Sequence, residues 1–212
     1  MRRSGYDSRV SSFSIPTIRH RLDRHDPLRY SVDSTTRQAA VAIVARASDA
    51  GTQILFIKRA EKTGDPWSGH MAFPGGHRDP DDSDLLSAAI RETEEEIGLV
   101  LDPSHYIGEL SQQRATPRAR RPDLLVAPFV FAIEGDPVFT PNHEVAEVVW
   151  GPLVPMMDGS ISDIEEHHVG EEPIAFNGYR LERGHFVWGL TYRTLQTFFT
   201  VLDPAYIEPD EA

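Results

Sequence analysis

The sequence predicts an α/β sandwich, and three observations carry that prediction. Two apolar runs with strand character, residues 39–45 and 54–57, stand close together early in the chain. A polar-apolar stretch with helical period fills residues 81–99. Further strand-like runs then lead to a second helical stretch, Trp188–Leu202. Strands and helices mixed in this way form layered α/β or α+β sandwiches, and α/β is the reading adopted here.

The elements follow in chain order. Residues 1–35 alternate polar residues, Pro and Arg, with a short helix around Ile18–Leu22, and read as a basic N-terminal extension. Arg2, Arg3, Arg9, Arg19, Arg21, Arg24 and Arg29 oppose only Asp7, Asp23 and Asp26. No apolar stretch follows the twin Arg, which argues against a secretory signal. A loosely ordered arm is expected, an organelle transit peptide is the alternative, and the expected location is cytoplasmic. A single domain over residues 36–203 begins with the two early strands, joined by the turn residues Ser48-Asp49-Ala50-Gly51. A glycine-rich loop spans Gly64 to Gly76, and the helix after it has Asp82 or Ser83 as candidate N-cap and Gly98 as its stop. Runs at 106–110, 124–133 and 145–150 read as strands, and residues 204–212 as an acidic tail.

Composition narrows the function classes. The 212 residues carry 21 Lys and Arg against 33 Asp and Glu, a formal charge of −12. That balance argues against binding a nucleic acid polymer, since few counterions would be released. The chain has no cysteine, which excludes disulfides, thiolate-held zinc, iron–sulfur clusters and a thiol nucleophile. No apolar run approaches the 18 or so residues of a membrane span.

The helix after Gly75-Gly76 concentrates the chemistry. At about 100° per residue, Glu92, Glu95 and Glu96 share a sector roughly 100° wide. Leu86, Ala89, Ile90, Thr93 and Ile97 form an apolar stripe beside that sector, while Glu94, Asp84 and Ser87 face away. Three carboxylates at i, i+3 and i+4 repel one another. A hard divalent cation such as Mg²⁺ offsets that repulsion and brings substrate phosphate with it. A solvated charge run is the plain alternative, but the acids border the buried stripe, and the Gly-Gly turn can return backbone groups to them.

The residues Gly76 and Arg91-Glu92-Thr93-Glu94-Glu95-Glu96-Ile97-Gly98-Leu99 resemble the signature box of Nudix hydrolases. Two departures stand out: Thr93 replaces an apolar residue, and the Gly76–Arg91 interval is one residue longer than the pattern, leaving Asp82 in place of its first Glu. Phe73-Pro74-Gly75-Gly76, the stretch Leu55-Phe56-Ile57-Lys58-Arg59-Ala60, the run Gly69-His70-Met71-Ala72 and Trp188-Gly189-Leu190-Thr191 are similar to the coenzyme A pyrophosphatase branch. That branch has an Arg in the 59–69 loop, where this chain has Gly64-Asp65-Pro66-Trp67; Lys62 is not an equivalent fork at phosphate.

The resemblance implies a Nudix-type α/β/α sandwich with a mixed sheet. It also implies hydrolysis of a nucleoside diphosphate linked to another group, with coenzyme A or acyl-CoA favoured. ADP-ribose, NADH and oxidised nucleotides are alternatives, as is a non-catalytic nucleotide sensor. Glu92, Glu95 and Glu96 would hold Mg²⁺ or Mn²⁺ with the Gly76 carbonyl as a further contact, and Arg91 would orient a Glu. A further Glu, ligand or base, would come from beyond the box, Glu144 being preferred to Glu147. Arg59, Gly75, Gly76 and Arg114 are candidate substrate contacts; Arg114 belongs to a cluster with Arg118, Arg120 and Arg121 whose alternative role is a solvated basic loop. Trp67 and Phe73 are open between base stacking and packing, and His143, His167 and His168 read as surface loop residues. Trp188, Tyr192, Leu195, Phe198 and Phe199 read as core or a dimer face. Family members often form homodimers, which nothing in the residues requires.

Overall fold

The computed structural model describes residues 13–33, 35–64, 67–115, 124–169 and 172–209. Helix α1 (Ile15–Leu22) precedes strands β1 (Arg37–Ser48) and β2 (Gly51–Arg59), an antiparallel hairpin in which the Ser48 hydroxyl donates to the Gly51 carbonyl at 2.7 Å. Beyond Ala45 and Ile54 the two strands part, and the short strands β3 (Met71–Ala72) and β4 (Gly75–His77) enter between them. β3 pairs with β2 and β4 with β1, placing Gly76 opposite Ala40. Helix α2 (Leu85–Ile97) follows, then β5 (Tyr106–Glu109), β6 (Gln113–Ala115), β7 (Leu124–Ile133) and β8 (Val145–Pro152). The chain ends with α3 (Leu153–Met157), β9 (Ser162–Val169), β10 (Glu172–Arg180), β11 (Phe186–Trp188) and α4 (Gly189–Leu202).

Among the described residues, β1 to β8 form one mixed sheet, in which β1 and β7 run parallel and the other pairs antiparallel. β9, β10 and β11 form a separate three-stranded antiparallel sheet. The central strands are covered on both faces, which is why they read as unbroken apolar runs instead of alternating ones. Ala40, Ala42, Val44, Leu55 and Ile57 pack towards Ala88, Ala89 and Ile97 of α2. Ile43, Ala45, Ile54 and Phe56 pack on the other face with Ile18, Leu22, Leu195, Phe198 and Phe199, of α1 and α4. The result is the expected α/β sandwich.

Three features depart from the sequence reading. Over residues 13–33 the N-terminal segment is docked instead of loose: Ile18 and Leu22 are buried, and a Cβ on Gly108 would run into Leu22. The Leu28 amide also donates to Ser111 Oγ at 3.0 Å, and Gln112 N to the Leu28 carbonyl at 2.9 Å. The second sheet was not anticipated, because Ser162–Val169 is too polar to register as a strand. The N-cap of α2 is Asp84, whose carboxylate accepts the Ser87 amide at 2.7 Å, and not Asp82 or Ser83.

Candidate active site

Helix α2 is fixed at both ends, and this orients its acids. Asp84 caps the start, and Gly98, with φ of 70°, turns the chain out at the end. Thr93 is fully buried, yet its hydroxyl donates to the Ala89 carbonyl at 2.7 Å. A satisfied hydroxyl occupies the apolar stripe without leaving an unpaired polar group.

β4 brings the Gly-Gly turn against the acids. The Gly75 amide donates to Glu96 Oε2 at 2.9 Å, and Gly76 lies so close to Glu92 that a Cβ there would strike its carboxylate. Glu96 is only 2% exposed. Burial pushes its carboxyl up to about 7, and the nearby Glu92 and Glu144 charges add to this, against the opposing Gly75 amide and Arg59. Glu92 is raised as well, first by burial and, more weakly, by Glu95 and Glu144. Glu92, Glu96, Glu144 and Arg59 therefore share one local field.

Arg91 organises the outer edge of this group. Its Nε and Nη2 donate to the two Asp82 carboxylate oxygens at 3.0 and 2.9 Å. Nη1 donates to Glu92 Oε1 at 3.0 Å and Glu95 Oε2 at 3.1 Å, while Nη2 also reaches the His77 carbonyl at 3.2 Å. Asp82 is 7% exposed, and the Arg91 guanidinium holds its carboxyl below the usual range. The upstream acid thus serves Arg91, and Arg91 is tied to two of the three box acids.

Glu144 reaches the site through the loop before β8. Thr140 N donates to the Ile97 carbonyl at 2.9 Å and Asn142 N to the Glu96 carbonyl at 2.8 Å. Asn142 Oδ1 accepts the Glu144 amide at 2.8 Å, and the Glu144 carbonyl accepts Ala60 N at 2.7 Å, just past Arg59. Sequence reasoning passed over Thr140 and Asn142. An Asn two residues before an acid was the available signal, since Asn side chains bond the backbone two residues on.

Other candidates lie elsewhere. Glu147 pairs with Arg183 and lies 3.2 Å from His185 Nε2. Arg114 sits on β6 with its guanidinium 5.0 Å over the Tyr30 ring. Arg118, Arg120 and Arg121, like Asp65 and Pro66, lie outside the described residues. Phe73 is buried on Phe56, which removes it as a base-stacking surface, whereas Trp67 is 51% exposed. His143 is exposed, but His167 lies in β9 stacked 3.9 Å from Trp188, so it is not a loop residue. The His168 side chain is outside the described set. Leu195, Phe198 and Phe199 are core, with Tyr192 packed against them.

The donor set fits a hard divalent cation: burial raises the carboxyls of Glu96 and half-buried Glu92, the Glu92 charge adds to the first and Glu144 to both, and like-charged oxygen ligands so placed suit Mg²⁺. Among the described residues, no three acidic or His side chains close into a ready-made cage. Arg91 and the Gly75 amide engage the carboxylates instead. An all-protein cage is not what Mg²⁺ needs, since it binds through one or two carboxylates, water and substrate phosphate.

Residues 36–163 match the NUDIX domain family. The uncharacterized Nudix hydrolase NudL of Yersinia pestis is 32% identical over 160 residues, covering 74% of this chain and 76% of that protein. An uncharacterized Schizosaccharomyces pombe protein is 36% identical over 108 residues, which are 49% of this chain and only 33% of that longer protein. A crystal structure of a MutT/nudix family protein from Enterococcus faecalis is similar in fold, with a TM-score of 0.54 at 15% identity, covering 96% of this chain and 75% of that one.

Proposed function

Because the chain belongs to the Nudix hydrolase family, we propose that it cuts the pyrophosphate of coenzyme A or an acyl-CoA. The family acts on small nucleoside diphosphate derivatives and generally works with divalent metal ions. The observation that carries the reading is the gathering of Glu96 against Gly75 and of Glu92 against Gly76, with the Glu144 charge acting on both acids. Glu92, Glu95 and Glu96, with the Gly76 carbonyl, would hold Mg²⁺ or Mn²⁺, which when bound would supply charge neutralisation at pyrophosphate and activation of water. Arg91, fixed by Asp82, orients Glu92 and Glu95. Glu144 acts as a further ligand or as general base. Arg59, whose charge reaches Glu96, binds substrate phosphate together with the Gly75–Gly76 turn.

Coenzyme A is favoured over other members of the class by the branch-like stretches, two of which meet in the fold. The Thr191 hydroxyl donates to the Met71 carbonyl at 3.2 Å, and the His70 and Trp188 rings lie 4.7 Å apart. Among the described residues no helix is long and apolar enough to cross a membrane, and we place the protein in the cytoplasm.

Product release from coenzyme A, ADP-ribose, NADH and 8-oxo-dGTP, with Mg²⁺, Mn²⁺ or EDTA, tests the proposal. The expected result is metal-dependent hydrolysis of coenzyme A to 3′-phospho-AMP and phosphopantetheine, abolished by EDTA. Turnover of another substrate would discard the coenzyme A reading alone. Tight nucleotide binding with no turnover of any substrate would replace the enzyme by a sensor.

A further inference from the structure

We propose that Asn142 is a positioning residue that docks Glu144 on the C-terminal end of α2, making the helix stop part of the active-site construction. The inference rests on the role given to Glu144 above. All three backbone-reaching groups of Asn142 are engaged. Its amide donates to the Glu96 carbonyl at 2.8 Å, its Oδ1 accepts the Glu144 amide at 2.8 Å, and its carbonyl accepts Val145 N at 3.3 Å. One residue thus bridges the main chains of two acids whose charges act on each other.

The carbonyls it uses are those a helix end leaves without internal partners. Thr140 takes the Ile97 carbonyl and Asn142 the Glu96 carbonyl, so the loop itself caps α2. Gly98 makes this approach possible: any Cβ there would run into the Thr140 hydroxyl. The glycine therefore has two tasks, the left-handed turn and a clear path for the loop. On the far side, Ala60 N holds the Glu144 carbonyl at 2.7 Å. Glu144 is exposed and its carboxylate accepts no hydrogen bond from its own loop, so its placement depends on this clamped backbone.

The test compares Asn142→Ala, Asn142→Asp, Glu144→Gln and the Asn142→Ala/Glu144→Gln double variant in the full chain with Mg²⁺. The substrate is whichever of coenzyme A, ADP-ribose, NADH or 8-oxo-dGTP the wild type turns over fastest. Loss of such a supporting contact lowers activity roughly 10–100-fold. Asn142→Ala is expected to lose kcat in that range with KM little changed, and to speed hydrogen exchange at the Glu144 amide. Asn142→Asp, which keeps the acceptor oxygen, is expected to restore slow exchange and most of kcat. In the Glu144→Gln background, Asn142→Ala is expected to cost nothing further. An impaired Glu144→Gln beside an unimpaired Asn142→Ala overturns the positioning role alone, as does full additivity in the double variant. Full activity in Glu144→Gln overturns the assignment of Glu144 and the positioning role with it.

Discussion

Asp82 gives both carboxylate oxygens to Arg91, and so an acid outside the helix decides how two acids inside it are held. This pairing was not legible in the sequence. Asp81, Asp82, Ser83 and Asp84 all have capping chemistry, and only the fold, by burying Asp82 beside Arg91 nine residues on, leaves the cap to Asp84. The shared face of Glu92, Glu95 and Glu96 was legible because helical period is a local property. Asp82→Ala removes hydrogen bonds to a charged group, worth roughly 1.5–3 kcal/mol, and should destabilise by about 2 kcal/mol in urea unfolding at pH 7. The sign with pH follows from the lowered Asp82 carboxyl. Its contribution is complete above the unfolded value near 3.9 and disappears as pH falls through the lower folded value. Wild type and variant curves should therefore converge on acidification below about pH 4. A gap that persists there would show that the loss is one of packing and not of the ion pair.

β4 is the smallest element with a direct part in the site, and three residues give no periodicity to read. Its position was inferred from the Gly-Gly turn, but its reason becomes visible only in the pairing with β1. Gly75 has φ of 147°, and a Cβ there would run into the Ala40 carbonyl and the Val41 backbone, which the central strand holds in place. Gly75→Ala is expected to cost roughly 1–3 kcal/mol from backbone strain alone. It should also lower turnover, because the amide that binds Glu96 must move. Unchanged turnover with lowered stability would mean that β4 shapes the sheet without serving the acids. β9 and β10 were missed for a different reason. Their polar faces are solvated on one side, and their existence rests on cross-strand pairing of two consecutive segments, such as Glu165 with Phe176, instead of on an apolar period within either strand.

At the scale of the molecule, one sheet divides two cores, and the site stands at the edge of only one of them. The α2 side carries the acids, while the other side is closed by α4 and by α1, whose Ile18 is fully buried. The large core was legible from apolar runs. The docking of α1 was not, since Pro16, Arg19, His20 and Arg21 dominate its local composition, while Ile18 and Leu22 are its two buried anchors and Phe13 and Ile15 pack beside them. This division means that like charges collected at α2 weigh on the stability of the whole chain, and that a bound cation should return that stability. A ligand at 100 times its Kd adds about 2.7 kcal/mol to a two-state fold. For a chain of this size, each kcal/mol moves Tm by about 2–4 °C. Saturating Mn²⁺ should accordingly raise Tm by roughly 5–11 °C over the EDTA-treated protein. Glu95 is 57% exposed, so Glu95→Gln should fold with nearly the wild-type Tm in EDTA, yet gain much less from Mn²⁺ and lose turnover. An equal Mn²⁺ shift in both proteins would place the cation elsewhere and sink the assignment of Glu95. Loss of turnover with a full shift would instead separate binding of the ion from its use.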